Sequence, residues 1–491
     1  MLPKRMPLVA VARVPSLYPM VPPFDPGEAY PELGGRSPIA YGVNAAFLGV
    51  RECMHLAGLD LEHFGGGDWN PLGCWIKPGM TVLLKPNWVK FQHPRDPEGW
   101  TYTVTHGSII RAVGEYVALA LRGQGTLIIG DGPQTDSAFE DLADGTGMPS
   151  VVERLKRHGI DVRLVDFRKE RWDEKDGVIV GRHQLPGDPA GYVAFDLGAT
   201  SRMATRGGEG RYYGAFYESA EVNRHHSGGR HEYLIAGTAI RANVVINLPK
   251  LKTHKKTGVT LSLKNLVGIN GDKNWLPHHT EGDPSSGGDQ FPGPSFRRYF
   301  ERVGGRTLRK LAIMLPGVGP WLLARARRFG AGFFGDTDNV VRSGNWYGND
   351  TTWRMALDLN ACLLYGHPDG TLQPDGAKTC LSFVDGVIGG QGNGPLNPDP
   401  FAAGIVAFSS DPAAVDAACT WLMGLDPERL PIVREAFARS KFPISPLHSW
   451  REVQVTSNHR PWSGSLEGIA LEDCFRFRPH FGWNGAVERR F

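Results

Sequence analysis

The chain has 491 residues and carries 54 Lys and Arg against 51 Asp and Glu, a net charge of +3 with histidine neutral. This balance, without any long Lys/Arg block, argues against a nucleic-acid partner. Hydrophobic residues make up 41% and charged residues 21%, as in an ordinary globular protein with a large core.

The cysteines and the apolar runs set further limits. The six cysteines lie far apart with no CxxC pair, so we expect no iron–sulfur cluster and no zinc ribbon. Wide spacing in a large chain is typical of reduced thiols and of a cytoplasmic protein. The apolar part of the N-terminal stretch is too short for a signal peptide, and no apolar run reaches the roughly 20 residues of a membrane-spanning helix.

Short apolar runs predict buried β-strands because they are rich in Val, Ile and Leu and lack polar alternation. In chain order they cover residues 8–11, 81–84, 126–129, 162–165, 244–248, 380–384 and 404–408. Helices are predicted at 108–121, 351–365 and 411–424, with Ser108 and Asp411 as N-caps. This alternation indicates an α/β fold, with a mostly parallel or mixed sheet, helices on both faces and long decorated loops.

We expect one large α/β domain over residues 1–491. Irregular insertions are predicted at about 166–230 and 277–345, and a C-terminal extension at 441–491. Residues 306–334 combine basic and apolar side chains, which suits either weak contact with an anionic membrane surface or an ordinary helical hairpin. Pro316 and Gly319 interrupt a single amphipathic helix and favour the hairpin. The sequence leaves the oligomeric state open.

Polar side chains follow several of the predicted strands directly. Lys85 and Asn87 follow 81–84, and Asp131, Asn247 and Asp385 stand at the ends of other runs. Ligands of open α/β sheets bind beyond the carboxyl ends of the strands. We therefore expect these side chains to converge at one edge of the sheet and to form a site.

The segment 247–279 is the densest in candidate ligands. Four lysines and His254 lie within residues 250–256, and a short helix is predicted to end at Gly268. Lysine holds phosphate or carboxylate, and a helix N-terminus favours anions. The segment is either a solvated basic loop or a ligand loop, and the interleaved Asn, Thr, Gly and His favour the latter. With the strand ends and the glycine-rich stretch, the candidate substrate-binding residues are Lys85, Asn87, Asn247, Lys250, Lys252, Thr257, Lys264, Asn265, Gln391 and Asn393.

Histidines and aspartates form a second group of candidate ligands. Imidazole and carboxylate together suit a divalent transition metal, but their spacing matches no fixed metal motif. These side chains either bind a metal, or cap loops and contact anionic substrate groups directly. The candidate metal ligands are His225, His226, His278, His279, Asp283 and Asp289.

Three further features have both a functional and a structural interpretation. His106 precedes the helix predicted at Ser108, where it is either a general acid or base with a lowered pKa or a structural loop residue. Asp416 is either catalytic or a favourable charge early in its helix. Residues 389–394, GGQGNG, match no nucleotide motif and predict a loop that closely approaches a ligand or another loop.

Five segments in order resemble a known family: LLKPNWV (83–89), DGP (131–133), VINLPKLKTHKKTGVTLSLKNLVG (245–268), VDGVIGGQGNGP (384–395) and SSDPAAVDAACTWLMGLDP (409–427). They resemble domain-of-unknown-function family 362. The resemblance implies an α/β core at about 7–440 in a bacterial or archaeal protein. Many members carry a ferredoxin-like cysteine cluster that this chain lacks, so their redox role does not carry over.

Two narrower likenesses bear on function. The histidine-rich insert (223–233) and the stretch 275–289 resemble a subgroup found beside polysaccharide-assembly genes. NGDKNWLP (270–277) is similar to the cofactor-lysine segment of the lactate racemase family, which implies a role for Lys273. An organic cofactor is otherwise left open.

These observations favour a metal-assisted enzyme that acts on a phosphorylated or carboxylated sugar or small metabolite. Lysines would hold the anion while metal and cationic groups stabilise developing negative charge. The alternatives are a cofactor-dependent racemase, epimerase or oxidoreductase, and a non-catalytic protein that binds glycans or lipid-linked intermediates. The candidate catalytic residues are His106, His254, Asp131, Asp385 and Lys273.

Overall fold

A twelve-stranded mixed sheet lies at the centre of the computed structural model, which describes residues 8–35, 37–175, 178–214, 219–294 and 340–490. The twelve strands of this sheet are β1 (Leu8–Arg13), β2 (Thr81–Pro86), β3 (Thr126–Asp131), β4 (Asp161–Asp166), β10 (Val244–Leu248), β11 (Lys250–His254), β12 (Gly258–Val259), β14 (Thr379–Asn393), β15 (Asn397–Phe401), β16 (Ile405–Ser409), β17 (Gln454–Ser457) and β18 (Gly464–Ser465). Three two-stranded sheets are formed by β5 (Glu170–Lys175) with β6 (Val178–Gln184), β7 (Tyr192–Asp196) with β9 (Glu232–Ala236), and β8 (Tyr212–Tyr213) with β13 (His279–Thr280).

The α-helices of the described residues pack around this sheet. They are α1 (Ala45–Leu56), α2 (Trp100–Thr103), α3 (Gly107–Leu121), α4 (Phe139–Gly145), α5 (Met148–Lys156), α6 (Ala220–His225), α7 (Gly237–Arg241), α8 (Leu261–Asn265), α9 (Thr352–Tyr365), α10 (Pro412–Leu422) and α11 (Pro431–Arg434). No helix in the described part of the chain is both long and apolar enough to cross a membrane.

The sheet runs in the order β18-β17-β1-β16-β14-β10-β2-β3-β4. Strands β14, β10, β2, β3 and β4 are mutually parallel, and β16 is antiparallel to both β14 and β1. The predicted mixed α/β sheet is therefore confirmed. All seven predicted apolar runs are strands of this sheet.

Both faces of the sheet are buried, which explains why its strands lack polar alternation. Successive residues of β10 enter different cores: Val245 packs with one hydrophobic cluster, and Val244 and Ile246 pack with the other. Helices α1, α3 and α5 cover the second core, while α9 and α10 cover the first. Helices on both faces are thus confirmed.

Two helix starts were predicted by their caps, with different outcomes. The carboxylate of Asp411 accepts hydrogen bonds from the N–H groups of Ala413 and Ala414, as expected of an N-cap. The helix predicted to be capped by Ser108 is instead capped by His106, whose Nδ1 accepts from the Ser108 N–H at 3.1 Å. The prediction of Ser108 was wrong because a histidine nitrogen supplies the acceptor two residues before.

The glycine-rich stretch 389–394 is not a loop as predicted, because residues up to Asn393 belong to the long strand β14, which pairs with β11 and β15. A Cβ on Gly390 would lie 2.6 Å from the Tyr102 carbonyl oxygen, and one on Gly394 would lie 2.0 Å from that of Thr253. The glycines therefore permit close approach to α2 and β11.

The predicted insertions and the C-terminal extension contain ordered structure. Residues 166–230 form the hairpin β5–β6 and the strands β7 and β8, which pair with β9 and β13. Residues 441–491 supply β17, which pairs in parallel with β1. The basic and apolar segment 306–334 lies outside the described residues, so its proposed membrane contact stays a prediction.

Candidate functional site: a lysine-lined cavity at the carboxyl-terminal sheet edge

Three strand ends meet at one edge of the sheet. In the parallel ladder Asn247 of β10 pairs with Lys85 of β2, and β3 ends beside them in Asp131. The Lys85 ammonium lies 2.7 Å from the Asp131 carboxylate, and both side chains are almost completely buried. Asp131 also accepts hydrogen bonds from the backbone N–H groups of Trp88 (2.7 Å) and Gly132 (2.8 Å). Of the strand-end side chains expected to converge, Lys85, Asn247 and Asp131 therefore lie together at this edge, whereas Asp385 pairs with Lys250 elsewhere.

A chain of amides joins these strand ends to the short helix α8. The Asn265 side-chain oxygen accepts from the Lys85 ammonium at 3.1 Å and from the Asn87 amide at 2.7 Å. Its amide nitrogen donates to the Asn247 side-chain oxygen at 2.7 Å. Asn247 in turn donates to the Ser262 carbonyl at 2.9 Å. Four predicted binding residues therefore hold α8 in a fixed position against β10 and β2.

The close approach of α8 to this edge depends on Gly268. A Cβ at this position would lie 1.9 Å from an Asp131 carboxylate oxygen and 2.5 Å from the Lys85 ammonium. The Gly268 carbonyl also accepts the Gly132 N–H at 2.8 Å. A side chain at residue 268 would therefore displace the buried ion pair.

A carboxylate of the protein itself lies at the N-terminus of α8. Asp416, on the neighbouring helix α10, accepts hydrogen bonds from the N–H groups of Ser262 (2.7 Å) and Leu263 (2.8 Å). The expectation that this helix end binds an anionic substrate was therefore wrong, since a protein carboxylate occupies it. Asp416 is fully buried, and burial raises its pKa well above the usual range of a carboxyl group. Its role in the fold is to support α8.

A cavity of about 300 Å³ opens between α8, the strand ends and the segments that follow them. Its charged and imidazole lining consists of Lys85, Asp131, His254, Lys255, Lys256, Lys264, Lys273, His278 and Arg342. Trp88, Val267 and Leu276 supply part of an apolar wall. Asp131 is the one carboxylate among the described lining residues, and it is already paired with Lys85. Among the lining residues that the structure describes, basic side chains therefore outnumber acidic ones.

Lys264 is a cavity lysine without a partner in the described part of the chain. Its ammonium makes no hydrogen bond or ion pair with any residue that the structure describes. Burial, with a smaller contribution from the Lys85 charge, lowers the pKa of Lys264 to about 8. A cation that is partly desolvated and unpaired in an apolar-walled cavity is unfavourable until an anion arrives.

Lys273 and Lys256 line the same cavity but have partners. The Lys273 ammonium donates to the backbone carbonyls of Val267 (3.1 Å) and Asn270 (3.2 Å), and the Lys256 ammonium donates to that of His278 (3.4 Å). Burial is the main cause that lowers the pKa of each lysine to about 7. Both side chains can take up a proton when an anion enters.

Two histidines line the cavity with opposite hydrogen-bonding roles. Nδ1 of His254 accepts from the backbone N–H groups of Lys256 (3.0 Å) and Thr257 (3.3 Å), so the proton of the neutral ring is on Nε2. Nδ1 of His278 instead faces the Leu276 carbonyl at 2.9 Å and must donate to it. Burial and nearby lysines lower the pKa of both rings well below the usual value. His254 is therefore placed as a neutral hydrogen-bond donor.

Four buried polar atoms on residues of the cavity wall lack partners among the described residues. They are Asn87 Oδ1, Trp88 Nε1, Thr135 Oγ1 and Thr260 Oγ1. An unsatisfied buried polar atom costs about 1–3 kcal/mol and calls for water or a ligand. Trp88, Thr135 and Thr260 were not predicted as site residues. Trp88 could have been included, because it follows Lys85 and Asn87 directly after β2.

The predicted site residues Lys250, Asp385 and His106 form a separate buried cluster. The Lys250 ammonium lies 3.0 Å from the Asp385 carboxylate and 2.6 Å from the Tyr18 hydroxyl, which also donates to Asp385. Asp385 accepts the His106 N–H at 2.9 Å, and the His106 ring stacks on Tyr18 at 3.9 Å. Burial first, and then Lys250, lowers the pKa of His106 well below its usual value. These side chains are not among the residues that line the cavity.

The remaining candidate binding residues are not among those that line the cavity. Lys252 is fully buried and donates to the backbone carbonyls of Thr103 and Pro395. Thr257 donates to the Val259 carbonyl and supports His254. Gln391 and Asn393 lie on β14, where Gln391 accepts the Arg478 N–H at 3.1 Å.

The six candidate metal ligands are dispersed over five places. His225 lies between Glu221 and Glu232, and His226 contacts His231, with both histidines beside Trp275. His278 lines the cavity, whereas His279 stacks on Tyr213. Asp283 caps a surface turn, and Asp289 accepts hydrogen bonds from Thr280, Asp350 and Thr351.

Across the described residues, no group of three or more His, Cys, Asp or Glu side chains is placed to hold a metal ion. Metal binding therefore stays a prediction. Elemental analysis of protein purified without a polyhistidine tag tests it, with the His278→Ala/His279→Ala variant beside the wild type.

The fold and the cavity define an α/β protein with a cationic pocket at the carboxyl-terminal edge of a parallel sheet. The family described as "Domain of unknown function (DUF362)" matches residues 82–190 and 175–421, and the chain belongs to this family. The chain is also 23% identical over 371 residues to the thylakoid-associated protein sll1697 of Synechocystis sp., covering 76% of this chain and 70% of that protein. The family assignment made from the sequence is confirmed.

Proposed function

We propose that the lysine-lined cavity is the active site of an enzyme that binds a phosphorylated or carboxylated small molecule. The observation that carries this proposal is the ammonium of Lys264, which has no partner among the described residues and lies with four other lysines in a cavity whose described lining includes one carboxylate, already paired with Lys85. An anion would offset this charge and satisfy the Nε2–H of His254. Phosphorylated sugars, including precursors for polysaccharide assembly, belong to this class.

The walls of the cavity also indicate what accompanies the anionic group. Trp88, Val267 and Leu276 contribute apolar side chains to the lining, and the indole N–H of Trp88 has no partner among the described residues. A volume of about 300 Å³ is at the lower end of small-molecule sites. We therefore expect a small metabolite with one anionic end, rather than a polymer, to occupy the cavity.

Thermal unfolding in the presence of anions tests the proposal. We expect inorganic phosphate, pyrophosphate and citrate to raise the melting temperature above that in chloride at equal ionic strength. An anion at 100 times its dissociation constant stabilises the folded protein by about 2.7 kcal/mol. The Lys264→Gln variant should lose most of this response, whereas the exposed Lys441→Gln control should keep it. Equal responses of both variants would contradict the assignment.

Lys273 favours a second candidate, a cofactor-dependent racemase, epimerase or oxidoreductase. Its side chain lines the cavity and has a pKa lowered to about 7, so a neutral amine is available at physiological pH. The absorption spectrum and intact mass of the protein purified from its native host test this candidate. A chromophore or an added mass that a Lys273→Arg variant lacks would support it, and an unmodified colourless protein would oppose it.

A further inference from the structure

Lys264 differs in its hydrogen bonding from Lys85, Lys256 and Lys273, which line the same cavity. Lys85 is paired with Asp131, Lys273 donates to two carbonyls and Lys256 donates to one. Lys264 has no partner in the described part of the chain. The Lys264 nitrogen is therefore free of hydrogen bonds to the described residues, so it can turn toward a substrate carbonyl group without first breaking one.

The backbone that carries Lys264 is held from several sides. Asp416 accepts the N–H groups of Ser262 and Leu263, and the Asn360 amide donates to the Leu263 carbonyl at 2.9 Å. The next residue, Asn265, is fixed by the amide chain at the strand ends. A reactive side chain needs such support, because small errors in placement cost large factors in rate.

We propose that Lys264 is a nucleophile that forms an imine with an aldehyde or ketone group of an anionic substrate. This inference rests on the proposed anion site, and it narrows the substrate class to phosphorylated or carboxylated carbonyl compounds. The Lys264 nitrogen attacks the carbonyl carbon, and the C–N bond forms. The carbonyl oxygen then leaves as water with the two amine hydrogens, and hydrolysis reverses the step.

Two features of the cavity suit this step. Burial, with a smaller contribution from the Lys85 charge, favours the neutral amine of Lys264, while Lys256 and Lys273 line the same cavity and can hold the anionic end of the substrate. The neutral His254 ring lines the cavity and carries its proton on Nε2, which can donate to the oxygen of the tetrahedral adduct. Residues of this chain supply both the binding of the anionic end and the hydrogen bond to the adduct.

Reductive trapping tests the inference, with pyridoxal 5′-phosphate as a phosphorylated aldehyde and glyoxylate as a carboxylated one. Each probe is added to the full-length protein at pH 7.5 and reduced with borohydride, and the modified lysines are mapped by peptide mass spectrometry. We expect Lys264 to be modified at least about tenfold faster than the exposed Lys441, since a lowered pKa leaves more free amine. Inorganic phosphate should slow this modification, and unphosphorylated pyridoxal should react more slowly.

The Lys264→Arg variant provides the matched control, because arginine keeps the positive charge and lacks a nucleophilic amine. It should retain the rise in melting temperature with phosphate and lose the adduct at residue 264. Modification of Lys273 or Lys256 in place of Lys264, or uniform modification of surface lysines, would overturn the inference. If the variant does not fold, the wild-type peptide map with and without phosphate decides alone.

The outcomes separate the two proposals. Stabilisation by phosphate without an adduct at Lys264 would support the proposed anion site and contradict imine formation. Absence of both stabilisation and protection by phosphate would remove the anion site itself.

Discussion

At the scale of single residues, Lys264, unpaired in the described part of the chain, determines how the cavity affects the stability of the protein. A lysine that is partly desolvated and unpaired lowers the stability of the empty protein, because the folded state solvates its charge less well than the unfolded state does. Proteins keep such a destabilising charge at sites where their function requires it. Lys264 is therefore expected to destabilise the protein without ligand and to stabilise its complex with an anion.

Replacing Lys264 by Met should accordingly raise the free energy of unfolding at pH 7 in the absence of multivalent anions. We expect a gain of about 1–2 kcal/mol, because the nonpolar chain fits an apolar wall and the repulsion from Lys85 is removed. Urea denaturation in chloride buffer measures the change. A loss of stability, in a variant whose circular dichroism spectrum is unchanged, would indicate that Lys264 has a stabilising partner.

The sequence could not distinguish Lys264 from the other lysines of its segment. Lys250 and Lys252 stand in the same dense run, yet Lys250 pairs with Asp385 and Lys252 donates to two carbonyls, both out of the cavity. Their partners come from residues more than 130 positions away in the chain or from other loops. Only the tertiary structure decides which lysine remains unpaired.

At the scale of elements, α8 depends on Asp416 of α10. This helix has five residues, which is too short to be stable by itself, and Leu261 at its start adopts a φ of 41° that is unfavourable for a side chain with a Cβ. The two hydrogen bonds to Asp416 stabilise this conformation. The sheet edge and α10 together therefore determine where Lys264 lies.

Asp416→Ala should disturb the anion site as well as the stability. We expect a loss of about 1–3 kcal/mol and a clearly smaller rise in melting temperature with phosphate, since two buried N–H groups lose their acceptor. Asp411→Ala is the matched control on the same helix, because the Asp411 carboxylate accepts its hydrogen bonds from Ala413, Ala414 and Ser445 and so caps α10. It should cost stability at a similar scale and leave the phosphate response unchanged. The same response in both variants would contradict the supporting role of Asp416.

Gly268→Ala tests the packing of α8 on the strand ends. The new Cβ would lie 1.9 Å from an Asp131 oxygen, so the buried Lys85–Asp131 pair must separate. We expect a loss of about 3 kcal/mol or more, as for other disrupted buried ion pairs. Gly67→Ala is the control, because its nearest neighbour would be a carbonyl oxygen at 3.7 Å in an exposed turn. Chemical denaturation of both variants gives the comparison, and a tolerated alanine at 268 would refute the close approach.

The elements themselves were largely predictable, because buried parallel strands require uninterrupted Val, Ile and Leu runs. The errors came from interactions that the local pattern does not contain. His106 replaced Ser108 as the cap of α3, and Asp416 occupied the helix end that was expected to bind an anion. The glycines of 389–394 serve the close packing of β14 on β11 and α2. Strand positions follow from composition, whereas caps and partners depend on distant segments.

At the scale of the whole molecule, the cavity couples stability to pH. The pKa of Lys264 is lowered from 10.5 to about 8 in the folded protein and that of Lys273 to about 7. Below these values both states carry the charge and the folded state bears the full desolvation cost. As the pH rises toward 10.5 the folded lysines lose their protons first, so the unfolded state binds more protons and stability increases.

We therefore expect the stability difference between Lys264→Met and the wild type to shrink with rising pH. The advantage of the variant should be largest at pH 7 and should fade between about pH 8 and 10.5. Urea denaturation at pH 7.0, 8.5 and 10.0 in anion-free buffer measures this trend. An advantage that is constant or grows with pH would contradict a lowered pKa at Lys264.

Titration calorimetry of pyrophosphate tests the central claim, that an anion binds in the lysine-lined cavity, most directly. The protein is titrated at pH 8 in two buffers with different ionisation enthalpies, with the Lys264→Met variant in parallel. We predict one site per chain and net proton uptake from the buffer, because an anion raises the lowered pKa values of Lys264 and Lys273. The variant should bind more weakly and take up fewer protons. Absence of binding at millimolar concentration, or identical binding and proton uptake by the variant, would contradict the assignment.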